Sequence, residues 1–212
     1  GIRDRDVTGV QTCALPILQS PLRASALRAL GGHANVFAIE SFMDELALAA
    51  GIDPVEFRLK HLKDPRARAV VETVAQKAGW KNAAVPEGRG RGIGFARYKN
   101  LGCYVAVVVE IDLADAPRLT HAWAAVDVGL VVNPDGVINQ IEGGIIQAAS
   151  MTLKEQVSFD RDGVTSRTWN EYPVLKFSEA PQIDVTLVNR PELPPIGSGE
   201  GATGPTAAAI AN

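Results

Sequence analysis

The sequence predicts an α+β fold, with a helical N-terminal portion followed by a mixed β-sheet packed with helices. Two observations carry this. Apolar residues recur at helical spacing between Asn35 and Ala78, and β-branched runs bounded by Gly and Pro follow from Tyr104 onward. With 212 residues, 46% hydrophobic and 21% charged, the chain has enough apolar material for one good core or two small ones.

The elements follow in order. Residues 1–17 (GIRDRDVTGVQTCALPI) hold no sustained period, and the pattern changes abruptly at Leu18. This string resembles a translated sequencing-adaptor read-through of the kind found at the ends of assembled metagenomic genes, so it is set aside as a non-native tail, a disordered natural tail being the plain alternative. Setting it aside leaves the net charge unchanged, because Arg3 and Arg5 cancel Asp4 and Asp6. From Asn35 to Ala50, Val36, Phe37, Ile39, Phe42, Met43 and Leu46 predict a buried amphipathic helix stopped by Gly51. Asp53 and Pro54 then supply an N-cap and a first helical residue, with Glu56 completing a capping-box-like start for a helix to Leu62. A third helix is expected over Pro65–Ala78, with Val70, Val71, Val74 and Ala78 on its apolar face.

The Gly- and Arg-rich stretch EGRGRGIG reads as a connector. Tyr104–Leu113 reads as a central strand, and Leu119–Val128 as its hairpin partner. Pro134 opens a helix through Val137–Gln156, in which Gly143 and Gly144 would each cost about 1 kcal/mol relative to Ala, so a close approach is expected there. Ile183–Val188 is a third strand, and a Pro- and Gly-rich loop leads to a closing helix near Thr206. The expected organisation is therefore a tail over 1–17, a helical part over 18–82 and an α+β part over 90–212.

Composition removes several functions. A net charge of -3 and a pI near 5.7 provide no basic surface for nucleic acid or anionic lipid. No apolar run approaches the ~20 residues of a membrane span. Cys13 and Cys103 form neither a disulfide framework nor a zinc site, and His33, His61 and His121 lack ligand partners at useful spacing.

Three segments carry chemistry. PPIGSGEGATGPTAAAIAN places Glu200 between glycines on a loop entering an apolar helix, where a tight, partly dry setting would raise its pKa for general-base work; an exposed Glu on a flexible turn is the plain alternative. Its stretch GEGATGPT has phosphate-loop spacing, but Pro205 stands where the lysine belongs, which argues against nucleotide triphosphates. In VDVGLVVNPDGVINQIEGGIIQAAS, Gln140, Gly143, Gly144 and Gln147 share one helix face, suited either to a hydrogen-bonding heterocycle or to a close helix crossing. In LRALGGHANVFAIE, Arg28 and the Gly31-Gly32 turn converge near a helix N-terminus, favouring an anionic ligand unless Arg28 is a solvated charge.

In this order and wording, the three segments resemble the molybdenum-binding large subunit of the xanthine dehydrogenase and aldehyde oxidase family. LRALGGHANVFAIESFMDELA is similar to its Arg-x-x-Gly-Gly stretch and following helix. VDVGLVVNPDGVINQIEGGIIQ is similar to its Asp-x-Gly, Asn-Pro and Gln-x-Glu-Gly sequence, and GSGEG to its Gly-Glu motif. The resemblance implies a fragment of a larger molybdopterin-binding domain in a molybdenum hydroxylase, inactive alone, which oxidises an aldehyde or N-heteroaromatic carbon with oxygen from water. Glu200 is then the catalytic base. Gln140, Gly199, Arg28 and Gly31 border the molybdenum cofactor, expected in its cytosine dinucleotide form. Electrons would leave through the pterin to [2Fe-2S] clusters on a small partner subunit, and the other implied partners are the remainder of the large subunit and a flavin subunit.

Three departures stand out. Leu30 occupies the position of a substrate-wedging aromatic. Gly201-Ala202 replaces the family's Pro-Pro, as expected in a divergent bacterial branch. The Gly-x-Glu-Met-Gly-Gln-Gly stretch is absent. The expected location is the cytoplasm, with the periplasm as the alternative. The competing reading is a non-catalytic interaction module whose Gly-rich loop is a linker.

Overall fold

The computed structural model describes residues 26–81 and 85–212, so the leading segment 1–17 lies outside the described residues. Three helices come first: α1 (Gly31–Ala49), α2 (Pro54–His61) and α3 (Pro65–Lys77). Asp53 caps α2 by accepting from the Val55 and Glu56 amides, and Asp64 caps α3 through Arg66. Strands β1 (Arg89–Arg97), β2 (Tyr104–Asp112) and β3 (Arg118–Asp127) form an antiparallel meander. Helix α4 (Pro134–Leu153) crosses to β6 (Gln182–Leu187), after the small hairpin β4 (Phe159–Asp160) and β5 (Gly163–Val164). The sheet order is β1-β2-β3-β6 with β6 parallel to β3, and α5 (Thr203–Ala211) closes the described fold.

The sheet separates two apolar layers, because alternate residues of a strand point to opposite faces. Val105, Val107 and Val109 of β2 pack with Ile141, Ile145 and Ala149 of α4 and with α5, whereas Tyr104, Ala106 and Val108 meet Val70, Val71 and Val74 of α3. Strand β2 is thus buried on both faces, as its run of valines requires.

Two expectations are corrected. The Gly- and Arg-rich connector is in fact β1, a full sheet strand paired along its length with β2. Its glycines are there for packing. A Cβ on Gly92 would lie 2.1 Å from the Ala209 carbonyl oxygen, and one on Gly94 2.2 Å from that of Pro205, so α5 rests directly on the β1 backbone. Helix α1 is not buried along its apolar stripe either: Ile39 is 60% and Phe42 58% exposed. What it turns inward is Glu40. Its carboxylate accepts from the Phe95 amide (2.9 Å) and from Arg58 Nε (2.8 Å), and Arg58 and Asn212 both donate to the Ile93 carbonyl. These polar groups satisfy the outer edge of β1, which would otherwise be open for pairing. Burial pushes the Glu40 carboxyl up in pKa, against the pull of Arg58.

At the end of β3, fully buried Asp127 accepts from Arg66 (Nε 3.0 Å, Nη2 2.5 Å), Arg190 Nε (2.6 Å) and the Gly129 amide (2.9 Å), tying α3, β3 and the chain after β6 together. Burial alone would raise its pKa, but the Arg66, Gly129 and Arg190 bonds outweigh it and hold the carboxyl below its ordinary value. A depressed carboxyl stabilises the fold above its unfolded pKa, and that contribution is lost as pH falls through the folded value. Asp127→Asn, which strands two arginines, is expected to cost about 3–5 kcal/mol in urea unfolding at neutral pH. The difference from wild type should shrink in acid; an undiminished difference there would contradict the ion-pair origin.

Candidate active site

The loop after β6 is fastened by backbone bonds rather than left free. Ile196 donates to the Val128 carbonyl (2.8 Å), Leu130 to Leu193 (3.0 Å) and Cys103 to Gly197 (3.1 Å), so residues 193–197 run along the ends of β2 and β3. Gly201 is obligatory here, since a Cβ would sit 2.3 Å from the buried Cys103 sulfur. Burial pushes the Cys103 thiol up to about 12, which leaves it protonated and inert.

Arg28 braces this loop against α4. Its Nε donates to the Gly199 carbonyl (2.7 Å), its Nη2 to the Gln140 carbonyl and Oε1 (both 3.0 Å), and its Nη1 to Gln147 Oε1 (3.4 Å). The small residues of α4 make room for this. A Cβ on Gly144 would crowd the Ala202 Cβ at 3.0 Å, whereas one on Gly143 would meet the Arg28 guanidinium at an ordinary contact distance of 3.6 Å. The amide-and-glycine face therefore receives Arg28 and the Glu200 loop, and Arg28 spends its donors on protein acceptors.

Glu200 is held at both oxygens. The Ala29 amide donates to Oε1 (3.0 Å) and the Tyr98 hydroxyl to Oε2 (2.6 Å). The structure thus brings Arg28, Gln140, Gly199 and Glu200 together, with Gly31 opening α1 beside them. Tyr98 was not anticipated. It lies in the β1–β2 turn 102 residues before Glu200, with its ring beside Gly32, where a Cβ would meet Tyr98 Cε2 at an ordinary contact distance of 3.5 Å. The one local signal was the Lys-Asn pair after it, a turn sequence tolerant of left-handed backbone.

Four non-glycine residues among those described have positive φ: Ala29 (74°), Leu30 (50°), Lys99 (49°) and Asn100 (56°). They form two pairs, each adjoining a group that holds Glu200. Such residues cost of order 1–3 kcal/mol each and concentrate at functional sites.

The expected rise in Glu200 pKa is overturned. The Tyr98 hydrogen bond, then the Ala29 amide, stabilise the ionised form more than the modest burial opposes it, and Lys99 and Arg28 add to the lowering. The Tyr98 phenol is pushed up by burial and by its bond to Glu200. Tyr98→Phe removes the first of these donors, so Glu200 should titrate at higher pH. If Glu200 is a base, the acid limb of kcat/KM moves upward in Tyr98→Phe; an unmoved limb would detach Tyr98 from the base.

Two clefts flank the extended segment before Glu200. One of about 320 Å³ is lined by Tyr98, Lys99, Leu101, Gly197, Gly199 and Glu200. The other, about 290 Å³, lies by the N-terminus of α4, with Asn133, Val137, Gln140, Ile196 and Ser198 on its walls. Alternate residues of 196–199 thus face opposite clefts, as extended backbone requires. Side-chain amides, open glycine backbone and apolar walls form a donor set that fits a flat, hydrogen-bonding heterocycle such as a pterin.

Comparison with known proteins gives the family of the chain. A family model described as molybdopterin cofactor-binding domain matches residues 7–181. A nicotinate dehydrogenase subunit of Pseudomonas putida is 45% identical over 90% of the chain, and an isoquinoline 1-oxidoreductase subunit of Brevundimonas diminuta is 39% identical over 76%. The chain spans 18% and 21% of those relatives, about a fifth of their length. Among solved structures, aldehyde oxidoreductase from Desulfovibrio gigas shares the fold, with a TM-score of 0.70 at 15% identity over 89% of this chain and 39% of that one. The chain belongs to the molybdopterin cofactor-binding domain family.

Proposed function

We propose that this chain is part of a molybdenum hydroxylase in which Glu200 is the general base. The single observation that supports this best is the fixed carboxylate: both oxygens of Glu200 are hydrogen-bonded, its pKa is held below the ordinary value, and it lines a cleft beside Gly199. The overall change is the replacement of a C–H by C–OH, with oxygen from water and the release of two protons and two electrons. When bound, the molybdenum cofactor supplies the Lewis acid and the two-electron acceptor. Glu200 takes the proton from the attacking oxygen. For this its carboxylate must turn an oxygen from Tyr98 or Ala29 toward the cleft, and Arg28 keeps the loop in place while it does so.

Gln140, Gly199 and Gly31 would border the cofactor, with Arg28 as the positioning residue behind them. The relatives named for nicotinate and isoquinoline suggest an N-heteroaromatic substrate ahead of an aldehyde. The cytosine dinucleotide form, the partner [2Fe-2S] and flavin subunits and a cytoplasmic site of action belong to the same proposal. No helix among the described residues is long and apolar enough to cross a membrane. The test is turnover of an N-heteroaromatic substrate by the full-length complex in 18O-labelled water. The hydroxylated product should carry the label; an unlabelled product would overturn the reading. The interaction-module alternative is disfavoured by the loop's fastening to β2, β3 and α4, which a linker has no need of.

A further inference from the structure

We propose that Lys99 selects substrates that carry a carboxylate on the aromatic ring, an inference that rests on Glu200 being the base of the same cleft. Lys99 and Glu200 line one cleft, and Lys99 is the only cation among its lining residues. Its ammonium lies 5.3 Å from the centroid of the Tyr98 ring, whose hydroxyl in turn reaches Glu200 Oε2 at 2.6 Å. The Tyr98 side chain thus meets the cation on its ring face and the base at its hydroxyl, and all three line one cleft. A six-membered substrate whose reacting carbon faces Glu200 would direct a ring substituent toward Lys99.

The charge of Lys99 is available for this. Among the described residues no carboxylate lies within ion-pair distance of its ammonium, whereas Lys81 and Lys154 each have one. Its backbone is set in the left-handed region together with Asn100, which fixes the direction in which the side chain leaves the turn. The electrostatics also demand a cation. An anionic substrate entering beside an ionised Glu200 meets like charge, which an opposite charge lining the same cleft offsets. Exposed Leu101 and the glycine backbone of 197 and 199 leave the rest of the cleft neutral and flat, which suits the ring itself.

The test uses the full-length holoenzyme with its partner subunits and compares pyridine-3-carboxylate with the neutral isostere pyridine-3-carboxamide. Lys99→Gln should lower kcat/KM for the carboxylate about 10- to 100-fold, the worth of one charge-assisted contact, mainly through KM. Because Lys99 also helps to lower the Glu200 pKa, rates are compared at neutral pH and above, where the base is ionised with or without Lys99, and there the carboxamide should change less than about twofold. Equal losses on both substrates, or no loss on the carboxylate, would overturn the proposal. A binding arm separates this from the base assignment. In Glu200→Gln holoenzyme, benzoate should still bind more tightly than benzamide by equilibrium dialysis, and Lys99→Gln should abolish that preference. If benzoate shows no preference in either background, Lys99 does not read the carboxylate, whatever Glu200 does. If the preference depends on Lys99 while Glu200→Gln turns over normally, the carboxylate site stands and the base assignment fails.

Discussion

Replacing Glu200 by Gln in the full-length enzyme is expected to lower turnover about a hundred- to ten-thousand-fold, the contribution of a positioned general base, while molybdenum and pterin contents stay at the wild-type level. The amide is nearly isosteric and keeps an acceptor oxygen. It can retain either the Ala29 amide or the Tyr98 hydroxyl as a donor, and the Arg28 brace onto Gly199 and Gln140 does not involve the Glu200 side chain at all. Loop and cofactor border should therefore survive, and only the capacity to take a proton is removed. The pH dependence has a definite sign. Because Tyr98 and Ala29 hold the folded carboxyl below its ordinary pKa, the wild-type base is ionised at neutral pH and protonates at lower pH than a free glutamate, and activity falls as pH passes that lowered value. Metal content measured beside steady-state turnover decides the matter. Turnover within a few-fold of wild type at normal metal content would remove Glu200 from the chemistry.

The site was legible in the sequence to the extent that its parts sit in local motifs. Arg28 before a Gly-Gly turn, Gln140 on a glycine-bearing helix face and Glu200 between glycines could each be found alone, and the structure brings them into direct or one-residue contact across separations of 112 and 171 residues. Tyr98 was not legible, because nothing in its neighbourhood specifies a partner 102 residues away. The direction of the Glu200 shift failed for the same reason. Glycines announce close approach and dryness, but the two donors that settle the pKa arrive from distant segments. Helix α1 shows another limit. Periodicity reveals that a helix has an apolar stripe and not which side is covered, and here the inward position belongs to Glu40, satisfied by Arg58 and the β1 edge.

The missed strand β1 leads to the second large effect: Gly94→Ala is expected to destabilise the fold by about 3 kcal/mol or more, at the upper end of overpacking penalties. The added carbon would stand 2.2 Å from the Pro205 carbonyl oxygen and 3.2 Å from the Ala209 nitrogen, and both are helix backbone rather than a side chain that can swing away. Relief requires α5 to lift off the sheet. That helix is buried almost throughout and begins at Thr203, three residues after Glu200, so its displacement should also loosen the Glu200 loop. Gly90 is the matched control, two pleats earlier on the same strand, where a Cβ meets only the Leu113 side chain at 3.8 Å. Gly90→Ala should be neutral or stabilise slightly, by up to about 1 kcal/mol, through loss of unfolded-chain entropy. A glycine run chosen for flexibility would respond alike at both positions. Equal midpoints for the two variants in urea unfolding would therefore refute close packing of α5 on β1, whereas a large loss confined to Gly94 identifies the glycines as the means by which the sheet holds the helix that follows the base.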